Sequence, residues 1–210
     1  GIEALEHLAS RLGAPGWVRG APEAPAPSVA SGAFTAEGFG STFAALLPED
    51  AIVVEEAVTS GRQLFPPTFR AAPHDWLQIT GGAIGQGFPC ATGAAVAAPG
   101  RKVVCLEADG SGMYSLQSLW TQAREQLDVV NVVFANRAYR ILQGELLAVG
   151  AQPGPASKEL FDISRPSLDW VSLARGMGVE GTRVETLEGF AREFTAACAS
   201  RGPRLIEFVI

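Results

Sequence analysis

The feature that most constrains the fold is a regular alternation of short apolar runs and helical segments that begins near Phe34. Runs typical of buried strands occur in "AIVVEEA", "KVVCLEAD", "VVNVVFAN" and "RLIEFVI". Strands that alternate with helices predict an α/β fold, a parallel sheet with helices on both faces. The predicted helices are 34–48, 115–126, 168–178 and 186–200, residues 82–98 are predicted to be a glycine-rich turn that runs into a further helix, and the longest predicted loop is 142–164.

The first 33 residues differ from the rest of the chain. Residues 1–13 show helical apolar spacing, which gives a stripe that needs a partner surface. Residues 14–33 are rich in Pro, Ala and Gly without periodicity, which is typical of a linker. We therefore expect residues 1–13 to be the tail of a preceding central domain, 14–33 a linker and 34–210 a C-terminal domain; a natural N-terminal arm is the alternative.

Composition excludes several classes of protein. The net charge of -6, with no basic cluster, argues against a nucleic-acid partner. No apolar run approaches the roughly 20 residues of a membrane helix, and no signal peptide is recognisable, so no membrane association is expected. The three cysteines lie far apart, which indicates neither a disulfide framework nor a zinc site. We expect a soluble, cytoplasmic protein.

Two polar residues follow predicted strands and suggest a ligand site. Asp109 ends one apolar run, beside two glycines, and Asn136 ends the next. Ligands of parallel sheets bind beyond the carboxyl ends of the strands, where these two oxygen donors would converge. With a backbone carbonyl they would supply half of the ligands of a hard cation such as Mg²⁺, and Gly110, Gly112 and a helix beginning near Ser115 would favour a phosphate. A simple turn that caps a helix is the alternative reading.

These residues resemble the cofactor motif of the thiamine diphosphate (ThDP) dependent enzymes. That motif begins Gly-Asp-Gly and ends Asn-Asn; here it stands as Ala108-Asp109-Gly110-Ser111 and Ala135-Asn136, and the two ligands lie 27 positions apart. The departures at Ala108 and Ala135 remove no ligand. The resemblance implies a magnesium site formed by Asp109, Asn136 and the carbonyl of Ala138. It covers the chain from about Phe34 onward and is strongest to the C-terminal, diphosphate-binding domain of acetolactate synthase and benzoylformate decarboxylase.

The same resemblance extends to two other segments. "TGGAIGQGFPCATGAAVA" is similar to the segment that holds the aminopyrimidine, which implies that Ile84 is wedged between the two cofactor rings and that the Gly82 carbonyl accepts a hydrogen bond from the 4′-amino group. "VVEEAVTSGR" is similar to a turn that contacts the diphosphate. The cofactor-binding residues implied are Val58, Thr59, Ser60, Gly82, Ile84, Gly110, Ser111, Asn136 and Ala138.

The catalytic glutamate of this family lies in a separate pyrimidine-binding domain, and no stretch of this chain corresponds to it. Glu55 and Glu56 are neighbours on a strand and point to opposite faces, so we expect one loop-bonded and one solvated carboxylate and no catalytic residue. His74 is predicted to lie in a surface loop, with a position facing substrate as the alternative. Tyr139 and Arg140 either meet substrate or pack beneath it, and Gln117 and Trp120 are expected at an interface or in the core.

The resemblance implies a ThDP- and Mg²⁺-binding domain of an enzyme that acts on a 2-oxo acid or a related carbonyl compound. The chain would be inactive without its pyrimidine-binding domain, and the assembly would be a homodimer or homotetramer. A non-catalytic relative that serves as a scaffold or regulatory subunit is the alternative. A nucleotide-binding Rossmann protein is disfavoured, because no strand is predicted to run directly into "GGAIGQG" with the expected acidic residue after the next strand.

Overall fold

The computed structural model describes residues 1–13, 26–61 and 63–210. Within these ranges six strands form one sheet, and every neighbouring pair is parallel. This confirms the predicted parallel α/β architecture. The strands are β1 Ala51–Glu55, β2 His74–Gln78, β3 Val103–Ala108, β4 Val129–Ala135, β5 Glu180–Val184 and β6 Arg204–Val209, in the spatial order β2-β1-β3-β4-β6-β5.

Two of the helices begin at threonine residues that cap them. Thr35 and Thr186 have extended backbones, and their hydroxyl oxygens accept hydrogen bonds from the N–H groups of Gly38 and Gly189. The helices within the described ranges are α1 Ile2–Arg11, α2 Ala36–Leu46, α3 Phe65–Thr68, α4 Gly87–Ala97, α5 Asp109–Gly112, α6 Ser118–Arg124, α7 Arg140–Ala148, α8 Pro155–Phe161, α9 Trp170–Gly176 and α10 Leu187–Ala199.

The two faces of the sheet are covered by different kinds of side chain. On one face, α2 and α10 contribute a phenylalanine cluster in which Phe39 lies 4.6 Å from Phe190 between ring centroids. On the other face, α4, α6 and α9 pack through Ala91, Ala95 and the fully buried Trp170. Both faces are therefore sealed, and the chemistry of the sheet is confined to its two edges, where the strands begin and end.

The N-terminal helix and the residues after it follow the sequence prediction in part. Helix α1 forms, and its apolar stripe is exposed. Residues 14–25 of the predicted linker lie outside the described residues. Residues 26–33 run along α2, where the N–H of Ala30 donates to the hydroxyl of Thr42 at 2.9 Å and Ser28 exchanges hydrogen bonds with Ser41.

Several local predictions were wrong. The predicted loop 142–164 contains most of α7 and all of α8, and α8 begins with Pro155 because proline suits the first turn of a helix. The helix expected near Ser115 begins at Ser118, and the Asp-Gly-Ser-Gly turn is itself the short helix α5. Strand β2, which was not predicted, ends at Gln78, just before the glycine-rich segment, so the argument that no strand leads into that segment also fails.

Across the described ranges, none of the helices combines the length and the apolar character that a bilayer span requires.

Candidate cofactor site

A cavity of about 450 Å³ opens where β1, β3 and β4 end. It is formed by four segments: the turn after β1, the glycine-rich segment after β2, and the turns after β3 and β4. Ser60, which the resemblance assigned to the diphosphate, is not among the residues that line it. The residues from the predicted cofactor site that do line it are Val58, Thr59, Gly82, Ile84, Gly110, Ser111, Asn136 and Ala138.

Asp109 is not among the residues that line this cavity, but its neighbours Ala108 and Gly110 are, and its side chain joins the ends of β3 and β4. Its side chain is 2% exposed, and its two carboxylate oxygens accept hydrogen bonds from the N–H of Gly110, at 3.0 Å, and of Arg137, at 2.5 Å. Burial raises the pKa of Asp109 to about 6, and the hydrogen bonds from these backbone groups oppose that rise. The sequence prediction that Asp109 and Asn136 belong to one edge of the sheet agrees with this geometry.

Asn136 shapes the turn after β4. Its side-chain carbonyl oxygen accepts a hydrogen bond from the N–H of Ala138 at 3.0 Å, and Arg137 between them has a φ of 58°. A non-glycine residue in the left-handed region is uncommon, and such strain concentrates at functional sites. No group of three His, Cys, Asp or Glu residues in the described ranges could hold a metal. The donors near Asp109 are instead an amide and backbone carbonyls, which suit Mg²⁺ because it takes oxygen ligands and completes its shell with phosphates and water.

The turn after β1 is held by Glu55. The carboxylate accepts a hydrogen bond from the N–H of Val58 at 2.9 Å, and Val58 has a φ of 41°, an unusual conformation for a β-branched residue. The N–H of Ser60 donates to the carbonyl of Ala57. Thr59, between Val58 and Ser60, also lines the cavity, and its N–H donates to no acceptor among the residues that the structure describes.

The glycine-rich segment closes another side of the cavity. Gly81, Gly82 and Gly85 have φ values of 63°, 68° and 92°, which residues with a side chain rarely adopt. A Cβ on Gly85 would also lie 2.8 Å from the Cβ of Tyr114. Between these glycines, Ile84 is 48% exposed and lines the cavity. An exposed apolar side chain at the cavity is what the predicted role of Ile84 requires, and that role stays a prediction.

The expectation that Glu55 or Glu56 is solvated is wrong. The two side chains do accept hydrogen bonds from different turns, as their neighbouring positions on a strand require. Both are nevertheless buried, because Glu55 is 3% and Glu56 1% exposed. Burial raises the pKa of Glu55. Glu56 accepts hydrogen bonds from the N–H groups of Gly85 and Gly87. The functional association of Glu56 with the glycine-rich segment was missed because the partners are about 30 positions apart in the sequence.

A third buried carboxyl group, Glu107, lies next to Glu56. Its Oε1 accepts hydrogen bonds from the Ser111 hydroxyl and the N–H of Ala108, whereas Oε2 has no donor among the described residues. Burial raises the pKa of Glu107 well above its usual range, and the negative charge of Glu56 raises it further, which favours the protonated form. The sequence signal for this group was an acidic residue inside the apolar run "VVCLEAD".

The structure separates the remaining candidates near the strand ends. Tyr139 and Arg140 both line the cavity, and the Tyr139 ring lies so close to Gly110 that a Cβ there would be 2.7 Å from it. His74 is the first residue of β2, and its Nδ1 is 2.8 Å from the carbonyl oxygen of Ala72. It therefore lies at the opposite edge of the sheet from the cavity rather than in a surface loop.

The two residues expected at an interface or in the core both lie at the surface of the chain. Trp120 is 51% exposed and stacks against Arg124, outside the core. Gln117, which precedes α6, is also exposed. A core position is therefore wrong for both residues, and an interface position stays a prediction.

Comparison with known proteins identifies the family. Residues 63–208 match the family described as "Thiamine pyrophosphate enzyme, C-terminal TPP binding domain". The chain belongs to this family. Thiamine pyrophosphate is another name for ThDP, and the family uses it with Mg²⁺. The match includes the glycine-rich segment, Asp109 and Asn136, so the recognition made from the sequence is confirmed.

Individual relatives of this thiamine pyrophosphate enzyme domain agree with the match. The chain is 51% identical over 210 residues to the Mycobacterium tuberculosis protein IlvX, which is named for the large subunit of acetolactate synthase; the match covers 99% of this chain and 41% of that protein. It is 31% identical over 188 residues to benzoylformate decarboxylase of Pseudomonas aeruginosa, covering 89% of this chain and 34% of the relative. A ThDP-dependent 4-hydroxybenzoylformate decarboxylase of Rhodococcus jostii RHA1 superposes with a TM-score of 0.79 at 29% identity, over 98% of this chain and 38% of that structure.

The chain thus corresponds to the C-terminal cofactor-binding domain of acetolactate synthase-like and decarboxylase-like enzymes. It spans well under half the length of these relatives.

Proposed function

We propose that this chain is the ThDP- and Mg²⁺-binding domain of an acetolactate synthase-like or 2-oxo acid decarboxylase-like enzyme. The observation that carries the proposal is the buried carboxylate of Asp109, which accepts hydrogen bonds from the N–H groups of Gly110 and Arg137, next to residues that line the cavity. A desolvated carboxylate without a basic partner is costly, and a divalent cation bound beside it would offset that cost.

In this proposal the turns divide the work of holding the cofactor. Asp109, the side-chain carbonyl of Asn136 and the backbone carbonyl of Ala138 hold Mg²⁺. Thr59, with Val58, would form one side of the diphosphate site, and Ser60, which does not line the cavity, has no part in it. Gly110 and Ser111 form the other side, where the lack of a side chain at Gly110 lets backbone N–H groups approach a phosphate.

The glycine-rich segment orients the rings. The Gly82 carbonyl would accept a hydrogen bond from the aminopyrimidine, and the exposed Ile84 side chain would contact the cofactor rings and orient them. Bound ThDP supplies the carbon nucleophile and the electron sink that decarboxylation of a 2-oxo acid requires. Apolar residues such as Ile84 and Leu142 at the cavity limit access of water to that chemistry.

A pyrimidine-binding domain is the proposed partner that completes the site. Glu56, the acidic residue that lines the cavity, is already engaged by two backbone N–H groups, so we assign proton transfer to the partner domain and no catalytic residue to this chain. Domain boundaries near residues 13 and 33, and a homodimer or homotetramer, belong to the same proposal. Ile84 and Tyr114, 48% and 65% exposed, offer the apolar surface that such a partner would cover.

The proposal is tested by titrating the complete protein with ThDP in the presence of Mg²⁺ and again with a chelator, and by measuring carbon dioxide release from a panel of 2-oxo acids. We expect Mg²⁺-dependent binding and turnover by the complete protein, and no turnover by the 210-residue chain. Binding without turnover by the complete protein would favour the non-catalytic scaffold. Steady carbon dioxide release from the 210-residue chain alone would show that it contains a proton-transfer group and would contradict the division of labour.

A further inference from the structure

We infer that Glu56 is the positioning residue for the aminopyrimidine side of the cofactor cleft, because it fixes the backbone on both sides of Gln86 and directly after Ile84. This inference rests on the proposed function. Glu56 follows β1, is 1% exposed, and directs its carboxylate at a different segment of the chain. Its Oε1 accepts a hydrogen bond from the N–H of Gly85 at 2.5 Å, and its Oε2 accepts one from the N–H of Gly87.

The glycines of this segment leave the space that the carboxylate occupies. A Cβ on Gly87 would lie 2.8 Å from Oε2 of Glu56 and closer still to Oε2 of Glu107. A residue with a side chain at Gly87 would therefore push the backbone away from Glu56. The close approach lets both carboxylate oxygens bind N–H groups, and hydrogen bonds to an ionised acceptor are stronger than neutral ones.

The position of Ile84 explains why the segment needs such an anchor. Its side chain is 48% exposed, so packing within this chain does not fix it. The neighbouring Gly85 has a φ of 92°, a conformation that the segment must be held in. If the segment moved away, the buried Glu56 carboxylate would lose both donors and remain desolvated. The carboxylate and the segment therefore fix each other, and Ile84 acquires a defined direction through the backbone.

Glu55, the neighbour of Glu56, plays a similar part in a different turn and can be compared with it. Its carboxylate accepts a hydrogen bond from the N–H of Val58 and occupies the space that a Cβ on Gly61 would need. Neighbouring strand-end residues thus hold different turns: Glu55 holds the one that carries Thr59, and Glu56 holds the one that carries Ile84. Loss of Glu55 should weaken the diphosphate site, whereas loss of Glu56 should disturb ring geometry.

The test compares Glu56→Gln, Glu55→Gln and Glu188→Gln in the complete protein. The first substitution keeps the shape of the side chain, but it places an NH₂ group against one of the two N–H donors. We expect Glu56→Gln to lower kcat about tenfold or more while the Kd of ThDP with Mg²⁺ changes less than about threefold, and Glu55→Gln to raise that Kd more than it lowers kcat. Glu188→Gln is the control, because Glu188 also accepts a backbone N–H, that of Gly32, but lies exposed and away from the cavity.

An unchanged kcat in Glu56→Gln, or equal losses of kcat and affinity, would overturn the inference. Amide hydrogen exchange of the wild-type protein tests it without any variant: the N–H groups of Gly85 and Gly87 should be protected, and exchange at the rate of exposed amides would refute the anchor. Failure of the proposed function gives a different result, because wild-type protein would then bind no ThDP while the exchange experiment still reports on Glu56.

Discussion

The two edges of the sheet, where the strands begin and where they end, differ in the surroundings of their acidic residues. Where the strands begin, acids are exposed and paired with basic side chains: Arg101 contacts Asp75 at 2.7 Å, and Arg204 pairs with Glu180. Where β1 and β3 end, the acids are buried and accept hydrogen bonds mainly from backbone N–H groups. The carboxylates of that second group are Glu55, Glu56, Glu107 and Asp109.

This difference suggests two roles for the acidic residues. The exposed acids serve solubility and local order, whereas the buried acids are retained for a ligand. An exposed ion pair contributes little because water and salt screen it. A buried carboxylate without a cation destabilises the empty site, and Asp109 shows this cost as a raised pKa. Under the proposed function, Mg²⁺ bound beside Asp109 would offset this cost.

The largest effect is expected from removing the buried acid next to the cavity. Asp109→Ala in the complete protein should weaken Mg²⁺-dependent ThDP binding by at least about 100-fold, because it removes the charged ligand, while unfolding stays cooperative. Asp75→Ala, which removes an acid from the opposite edge, should leave the affinity unchanged. Calorimetric titration measures both, and equal affinities for Asp109→Ala and wild type would show that the metal site has been assigned wrongly.

The second largest effect is expected in the pH dependence of the free energy of unfolding, which should reveal the buried Asp109. Without metal, the pKa of Asp109 in the folded protein, about 6, exceeds its ordinary value of 3.8, so the folded state binds the proton more tightly. The stabilisation this provides is fully present below pH 3.8 and is lost as pH rises through about 6. In urea unfolding with a chelator, the stability of Asp109→Asn relative to wild type should therefore increase by about 2 kcal/mol between about pH 4.5 and 7.5. Parallel stability curves for the two proteins would contradict the assigned pKa.

A smaller effect is expected from the exposed apolar residue at the cavity. Ile84→Ala should lower kcat of the complete protein about tenfold while ThDP affinity changes little, because the diphosphate anchor remains and only ring geometry relaxes. Val149→Ala is a suitable control, since that side chain is 78% exposed and does not line the cavity. Equal changes in kcat and affinity, or no change, would return Ile84 to an ordinary structural role.

The smallest effect should come from breaking the ion pair at the amino edge. Asp75→Ala removes the contact with Arg101 and leaves the hydrogen bonds that Arg101 donates to the carbonyls of Asp50 and Ala51. Because the Asp75 side chain is 61% exposed, the substitution should cost less than about 1 kcal/mol. The loss should shrink further in high salt, because screening weakens such pairs. Chemical denaturation at low and high ionic strength provides the measurement; a large, salt-insensitive loss would mean that the two edges do not differ as proposed.

The central strands and the place of the ligand site could be predicted from the order of residues alone. β1, β3, β4 and β6 were predicted because their runs are apolar throughout, as strands covered on both faces must be. Asp109 and Asn136 could be assigned to one edge because parallel strands that follow each other through a helix end on the same side. The family resemblance was carried by the same segments.

Other features depend on the folded chain, because the local pattern does not encode them. β2 and β5 are the outermost strands of the sheet, and each pairs on one side only. Both carry polar residues, so "HDWLQ" and "EGTRV" show no buried run. Helix α7 was missed because the glycines and prolines of residues 142–164 indicated a loop, and α7 has no buried residues that would tie it to the core. The burial of Glu55, Glu56 and Glu107 also required the assembled structure, because desolvation depends on neighbours brought together from distant segments. Glu56 bonds to Gly87 across 31 positions, and only the folded chain places a backbone N–H where that carboxylate loses its water.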